Sequence, residues 1–162
     1  MTYDNIVTGT FLKRSNRFIA YVEVKGDVKT CHVKNTGRCQ ELLVPGCTVV
    51  LEFHPKAKEM KRKTEYDLIA VYKGNLLINM DSQAPNQAAL EWIREKEAKG
   101  LSLENVGIPT NIRREVTHGE SRFDLAFELK DEVTGKTVPA FMEVKGVTLE
   151  KEGNVFFPDA PT

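Results

Sequence analysis

The chain has 162 residues and carries 23 Lys and Arg against 23 Asp and Glu, so its formal net charge is zero. The hydrophobic fraction of 41% suffices for the core of one domain or two small ones, which argues against wholesale disorder. No apolar run approaches the roughly 20 residues of a membrane-spanning helix. The first residues also lack the charged lead and apolar stretch of a signal peptide.

The charges are distributed unevenly along the chain. Residues 1–80 contain 13 basic and 8 acidic residues, whereas residues 81–162 contain 10 and 15. A basic half attracts polyanions, and an acidic half can hold metal. The zero total therefore does not exclude a nucleic-acid partner.

The cysteines point to a reducing compartment. Cys31, Cys39 and Cys47 cannot all pair, and no Cys-x-x-Cys is present, which predicts a reduced cytoplasmic protein. A zinc site that combines these cysteines with His32 or His54 is disfavoured because the spacing matches no standard pattern.

The first eighty residues have the pattern of short strands. Apolar alternation over 18–24, a turn at 25–27 and a second run over 28–34 predict a hairpin. Further strands are predicted at 48–53, 64–72 and 76–79. About five short strands in eighty residues favour a small barrel, for which the OB-fold is a candidate.

A basic segment lies between two of these strands. Five of the eight residues in 56–63 are basic, Lys61, Arg62 and Lys63 among them. On a hairpin tip such a segment would be a mobile positive finger that contacts DNA, and the alternative is an ordinary solvated loop.

The pattern changes near residue 81, which divides the chain into a predicted barrel (1–80) and a predicted α/β domain (81–162). A helix is predicted over 86–99, with Asn86 as its N-cap, Gly100 just past its end and Trp92 as a packing anchor. Strands are predicted at 112–117, 122–129 and 138–147.

The second half also brings two carboxylates and a lysine together. A symmetric hairpin that pairs Leu129 with Val138 places Asp124 opposite Glu143, and Lys145 lies two residues further along the same strand. Opposed like charges destabilise a sheet unless something neutralises them.

A hard divalent cation would neutralise the pair, because carboxylate oxygens are the preferred ligands of Mg²⁺. The carbonyl of Val144 would add another ligand. Glu115 and Glu120, just upstream, are candidates for a further ligand or a general base. The alternative is a surface hairpin with solvated charges, since a bare D…ExK pattern is short and common.

Six blocks of sequence resemble the sugar fermentation stimulation protein A family. They are GTFLKRSNRFIAYV, HVKNTGRCQELLVPG, KTEYDLIAV, REVTHGESRFD, MEVKGVTL and FFPDA. The combination of NTGR with SRFD and EVKGVTL is far more specific than D…ExK alone, and the blocks extend over nearly the whole chain.

The resemblance implies an α+β protein with an OB-like barrel, followed by a domain similar to PD-(D/E)XK nucleases. It also implies DNA binding that is not sequence-specific and a link to sugar-utilisation genes. Asp124, Glu143 and Lys145 match the nuclease-like motif, and Glu115 matches an acidic position ahead of it. The residues that match the N-terminal, DNA-facing blocks are Arg14, Arg17, Asn35, Thr36, Gly37 and Arg38.

The chain departs from the family pattern at its end. Family members continue past FPDA with an Arg-Gly and a Lys-His pair, whereas this chain stops at Thr162. The resemblance therefore implies a truncated chain or a shortened homologue, with a sheet edge left uncovered.

The leading hypothesis is a cytoplasmic DNA-binding protein with a Mg²⁺- or Mn²⁺-dependent phosphodiesterase site. In it, Asp124 and Glu143 hold the metal, while Lys145 positions the attacking water or stabilises developing charge. The alternatives are a purely DNA-binding regulatory module with a vestigial site, and a protein-interaction adaptor. The oligomeric state stays open, a homo-oligomer included.

Overall fold

The computed structural model describes residues 1–104 and 106–157. The chain forms two compact units, one made of Thr2–Gln83 with the segment from Val147 onward, the other of Met1 with Ala84–Gly146. The end of the FFPDA block, from Pro158, lies outside the described residues. No helix among the described residues is both long enough and apolar enough to cross a membrane.

The first unit contains a closed five-stranded barrel. Its sheet has the strand order β3-β2-β1-β4-β5-β6, and an additional parallel pairing of β3 with β5 closes the barrel. The predicted OB-like barrel is confirmed. The strands are β1 (Ile6–Arg14), β2 (Ile19–Val24), β3 (Asp27–Val33), β4 (Thr48–Phe53), β5 (Tyr66–Lys73) and β6 (Leu76–Asn79).

The central strand β1 is absent from the strands predicted above. Phe11 is its one fully buried side chain, so the apolar alternation that marks a half-buried strand is weak there. Gly9 fits closely between β1 and β2. A Cβ at this position would lie 2.6 Å from Val22 Cγ1 and 2.7 Å from the Glu23 carbonyl oxygen, so glycine permits the close approach of the two backbones.

The predicted hairpin of β2 and β3 is confirmed. Ala20, Val22 and Val24 face the core, as the alternation predicts. Lys25 and Gly26 both have positive φ, which is the geometry of a two-residue hairpin turn that follows strand twist. Phe18, in contrast, precedes β2 and is 49% exposed.

The second unit packs one helix on a three-stranded sheet. Leu90 and Ile93 of the helix contact Leu125 and Phe127 of the sheet to form a separate core. Its elements are α1 (Ala84–Lys99), β7 (Ile108–His118), β8 (Ser121–Lys130) and β9 (Thr137–Met142), in the sheet order β7-β8-β9. The hairpin β10 (Leu149–Lys151) and β11 (Asn154–Phe156) belongs to the barrel unit. The predicted α+β class is confirmed.

Several details of α1 differ from the prediction. The helix begins at Ala84, so Asn86 lies inside its first turn and is not the N-cap. Trp92 is 45% exposed and is not a packing anchor; Lys96 Nζ lies 5.9 Å from the centroid of its ring. The end is as predicted, because Gly100 adopts φ +62° and the N–H of Leu101 donates back to the helix.

One further prediction is wrong. Strand β9 ends at Met142 rather than at 147, because the chain leaves the ladder at Glu143. The basic segment 56–63 forms a mostly exposed loop between β4 and β5. Its turns fold back on themselves, the N–H of Arg62 donates to the Ala57 carbonyl at 2.8 Å, and Ala57 is buried.

Candidate functional site

A groove on the barrel gathers several of the predicted DNA-binding residues. It has an apolar floor and a rim that contains four cations and no acidic side chain. Its lining residues are Phe11, Lys13, Arg14, Asn16, Arg17, Arg38, Gln40, Leu43 and Pro45. Lys13 was missed by the sequence reasoning because β1 was not predicted.

Arg14 does not point its guanidinium outward from this groove. Burial lowers the pKa of the group, and all five of its N–H donors are used. They go to backbone carbonyls: Nε to Asn16 at 3.1 Å, Nη1 to Gly37 at 2.7 Å and Arg38 at 2.8 Å, and Nη2 to Arg17 and to Asn35 at 2.6 Å. Arg14 therefore joins the loop after β1 to the loop after β3.

The cations that these loops carry are exposed. Arg17 and Arg38 project from the two segments that Arg14 holds together. The Arg17 guanidinium lies 6.0 Å from the ring centroid of Phe18, and Lys13 Nζ lies 5.5 Å from that of Tyr21. Two cations of the groove thus lie near aromatic rings that are outside the groove lining.

The Asn35–Arg38 turn has a structural role in this arrangement. The Asn35 side chain accepts the N–H of Gly37 at 2.7 Å and donates to the Met80 carbonyl at 2.9 Å, while Thr36 is exposed. The Gly37 amide is therefore committed to Asn35. The left-handed position of this loop is Cys39, with φ +46°, and Gly37 has no positive φ.

Four other basic residues of the barrel unit lie outside the groove lining. Lys34 forms an ion pair at 2.7 Å with Asp81, whose side chain is fully buried. Arg62 binds the buried carboxylate of Asp67 at 2.5 Å. Lys61 and Lys63 are exposed, but neither lines the groove.

In the second unit, the predicted register of the β8–β9 hairpin is confirmed. Leu129 pairs with Val138, and the ladder continues to the pair of Leu125 and Met142. Asp124 precedes Leu125 and Glu143 follows Met142, so both lie one position beyond this last ladder pair.

The hydrogen-bonding capacity of Asp124 is partly used within the chain. Its Oδ1 accepts the side-chain amide of Asn86 at 2.7 Å, and its Oδ2 accepts the N–H of Val144 at 2.7 Å. The sequence predicts Asn86 only as an N-cap, and nothing in the local pattern indicates this contact.

Glu143 and Lys145 form an exposed ion pair with each other. The hydrogen bond to Glu143 raises the pKa of Lys145, and the charges of Glu143 and Asp124 raise it further. The lysine is therefore held in its protonated form, which suits charge stabilisation and not proton abstraction.

Glu115 lies on β7, the strand next to β8, which carries Asp124. Because Arg114 pairs with Leu125 and Val116 with Phe123, Glu115 lies opposite Asp124 in the register. Its backbone is left-handed, with φ +50°, and its carboxylate pairs with Arg122 at 2.7 Å. Glu120 lies in the β7–β8 turn.

Two sets of side chains offer ligands to a metal. The metal ligands predicted from the sequence, Asp124, Glu143 and the Val144 carbonyl, all offer oxygen atoms, which Mg²⁺ and Mn²⁺ prefer. Glu52, His54 and Asp67 on the barrel have ligand atoms that all lie within 4.8 Å of one another. Within residues 1–104 and 106–157, this trio is the one His, Cys, Asp or Glu group to meet that criterion.

Comparison with known proteins gives consistent matches. The SfsA N-terminal OB domain matches residues 12–80, and the sugar fermentation stimulation protein RE domain matches residues 83–162. A sugar fermentation stimulation protein homolog from Alkaliphilus oremlandii is 55% identical over all of this chain and 65% of its own length. One from Desulfitobacterium hafniense is 51% identical over all of this chain and 64% of its own length.

The fold matches a solved structure as well. SfsA from Pyrococcus furiosus, in complex with Ca²⁺, is 26% identical with a TM-score of 0.74, over all of this chain and 63% of that one. The present chain thus spans just under two thirds of the relatives that it matches. By its two domain matches and its fold, the chain belongs to the sugar fermentation stimulation protein family.

Proposed function

We propose that this protein binds DNA without sequence specificity through the groove on its barrel. The observation that carries the proposal is the set of exposed cations, Lys13, Arg17 and Arg38, on segments that Arg14 fixes. Fixed cations that track a phosphate backbone give affinity without reading base sequence. The exposed ring of Phe18 offers a stacking surface for an unpaired base.

The salt dependence of DNA binding tests this proposal. Three phosphate contacts predict that the logarithm of the binding constant for duplex DNA falls with the logarithm of salt concentration with a slope of about −2.7. The double variant Arg17→Gln/Arg38→Gln is expected to reduce the slope to about −0.9. Lys25→Gln, which removes one charge from the β2–β3 turn, is the control. An affinity that does not respond to salt would refute the proposal.

We also propose that the Asp124, Glu143 and Lys145 set supports metal-dependent phosphodiester hydrolysis. Asp124 and Glu143, with the Val144 carbonyl, would hold Mg²⁺ or Mn²⁺, which supplies Lewis-acid neutralisation of phosphate charge. Asn86 and the Val144 amide keep the Asp124 carboxylate oriented. Lys145, held protonated, stabilises the charge that develops on the phosphate.

A specific observation favours the alternative, a DNA-binding module with a vestigial site. Both oxygens of Asp124 already accept hydrogen bonds, and Glu143 is already paired with Lys145. Each carboxylate oxygen retains a second lone pair, so a cation can still bind, but it must compete with groups of the chain itself.

A cleavage assay separates the two functions. With plasmid or oligonucleotide DNA and Mg²⁺ or Mn²⁺, the hydrolytic function predicts cleavage that EDTA stops and that Lys145→Ala reduces by at least tenfold. Because Lys145 is exposed, this substitution leaves the fold intact. DNA binding without EDTA-sensitive cleavage would identify the site as vestigial.

The relatives' name supports a link to the regulation of sugar metabolism, and DNA binding is a direct means of such regulation. A cytoplasmic location fits the three free cysteines, since reducing compartments maintain thiols. Chromatin immunoprecipitation of the tagged protein in cells, with and without a fermentable sugar, would test the link. Uniform, sugar-independent occupancy would argue against a regulatory role.

A further inference from the structure

The barrel carries a cluster of metal-ligating side chains that the proposed function does not use. Glu52 lies on β4, and His54, two residues after Glu52, follows directly after the end of that strand. Asp67 on β5 pairs directly with Glu52 in the ladder. Since residues two apart on a strand share a face, and directly paired residues lie side by side, the register itself brings the three side chains together.

The distances within this cluster suit a small transition-metal ion. His54 Nε2 lies 3.0 Å from Asp67 Oδ2 and 3.8 Å from Glu52 Oε2. Two ligands that are each about 2.1 Å from a tetrahedral zinc ion are about 3.4 Å apart, so the observed separations bracket that value.

The second oxygen of Asp67 is held by groups behind the cluster. Arg62 Nη2 lies 2.5 Å from Oδ1, and His32 Nδ1 lies 3.4 Å from the same oxygen. Metal-ligating carboxylates are commonly oriented by such outer hydrogen bonds. Arg62 thus fixes the Asp67 carboxylate so that Oδ2 turns towards His54 and Glu52.

The charges and burial of the cluster also favour a cation. The Asp67 side chain is only 6% exposed, and with Glu52 it places two carboxylates beside one guanidinium. These charged groups lie in a partly desolvated position, where charge is costly to leave unbalanced. The His54 and Glu52 side chains, 23% and 16% exposed, leave a path for an ion to enter.

We propose that Glu52, His54 and Asp67 form a binding site for a Zn²⁺-type divalent cation on the barrel. An imidazole with two carboxylates suits such borderline metals, whereas the oxygen-only set of Asp124, Glu143 and Val144 suits Mg²⁺. With three protein ligands, the fourth position is taken by water. The ion would link β4 to β5. It would lie next to the basic segment 56–63, whose Arg62 binds Asp67.

Isothermal titration of the tag-free, metal-depleted chain with Zn²⁺, in excess Mg²⁺ to occupy oxygen-only sites, tests the proposal. We expect one zinc ion per chain, with affinity reduced at least tenfold by His54→Gln and by Glu52→Gln. His118→Gln, which alters the histidine of the other unit, is the matched control. Co²⁺ in place of Zn²⁺ should give a visible absorption band that His54→Gln removes.

The proposal is overturned if Zn²⁺ binds equally well to wild type and to both ligand variants, or does not bind. Circular dichroism of each variant shows whether the fold is kept, and Glu52→Gln, an isosteric change at a part-exposed position, serves where His54→Gln is unstable. DNA affinity is measured separately in the absence of Zn²⁺. A failure of the zinc site would therefore leave the DNA-binding proposal standing, and the reverse also holds.

Discussion

Arg14 in the barrel and Asp124 in the second unit are the most instructive pair of residues to compare. Both match family blocks, and both were predicted to act directly on a ligand. Arg14 gives all five donors to backbone carbonyls, whereas Asp124 accepts one hydrogen bond on each oxygen and retains acceptor capacity. The guanidinium is therefore saturated and the carboxylate is not.

This difference separates two roles that look alike in sequence. Saturation makes Arg14 a positioning residue, whose value for binding lies in the exposed Arg17 and Arg38 that it holds in place. Incomplete saturation leaves Asp124 available as a ligand, with Asn86 as its orienting partner.

Among the substitutions, the largest effect is expected from Arg14→Met. This change keeps much of the apolar volume but leaves five backbone carbonyls without their donor, which should lower the free energy of unfolding by about 3 kcal/mol. Urea denaturation followed by circular dichroism measures this loss. Arg17→Met, an exposed change in the same groove, should cost less than about 0.5 kcal/mol. Equal stability of the two variants would show that Arg14 does not make these five hydrogen bonds in solution.

Alkaline pH is expected to act on the barrel and to spare the second unit. Burial raises the pKa of Cys31 to about 12, against an ordinary value of 9.0. Between these values the unfolded thiol ionises while the folded one stays protonated, so the folded state binds more protons. The stability that is present below pH 9 is then lost by about 1.4 kcal/mol per pH unit as the pH rises towards 12.

Comparing wild type with Cys31→Ala isolates this contribution, because other alkaline titrations are common to both proteins. The variant should be less stable at neutral pH and should lose stability less steeply above pH 9. All three cysteines belong to the barrel unit. Hydrogen exchange should therefore show the steeper pH response in β2 and β3. If the stability of wild type and of Cys31→Ala falls equally steeply above pH 9, the thiol of Cys31 is not buried.

The sequence predicts the fold of this chain better than it predicts the roles of its charged residues. Local alternation locates β2 and β3, and the symmetric hairpin gives the β8–β9 register, because both depend on neighbours in the chain. The contacts of Arg14 reach 21 to 24 residues away, and those of Asn86 reach 38. No local period encodes such contacts.

Burial, which the charge pattern does not show, decides the surroundings of two other residues. Arg62 is one of five cations in the segment 56–63, and its partner Asp67, only five residues away, is buried on the next strand. Trp92 satisfies the helical period but faces solvent, because the sheet packs against Leu90 and Ile93 instead. Charge patterning identifies the basic half correctly, and only tertiary contacts show which of its cations are available.

An intermediate effect is expected from Asn86→Ala, which removes one orienting partner from Asp124. Loss of such an outer contact should raise the Mg²⁺ concentration for half-maximal DNA cleavage about tenfold. Gln87→Ala, which removes only the exposed contact with Glu91, is the matched control. An unchanged Mg²⁺ requirement in Asn86→Ala would show that Asn86 does not orient the Asp124 carboxylate for metal binding.

The smallest effect is expected from Arg38→Gln, which removes one exposed cation and leaves the backbone carbonyl that Arg14 binds. The slope of log affinity against log salt should become less steep by about 0.9, and duplex affinity should fall only several-fold. Lys61→Gln provides the contrast, because that lysine is exposed on the segment 56–63 and lies outside the groove lining. If Lys61→Gln reduces the slope and Arg38→Gln does not, the DNA path follows the basic segment. Arg14 would then organise loops that DNA does not touch.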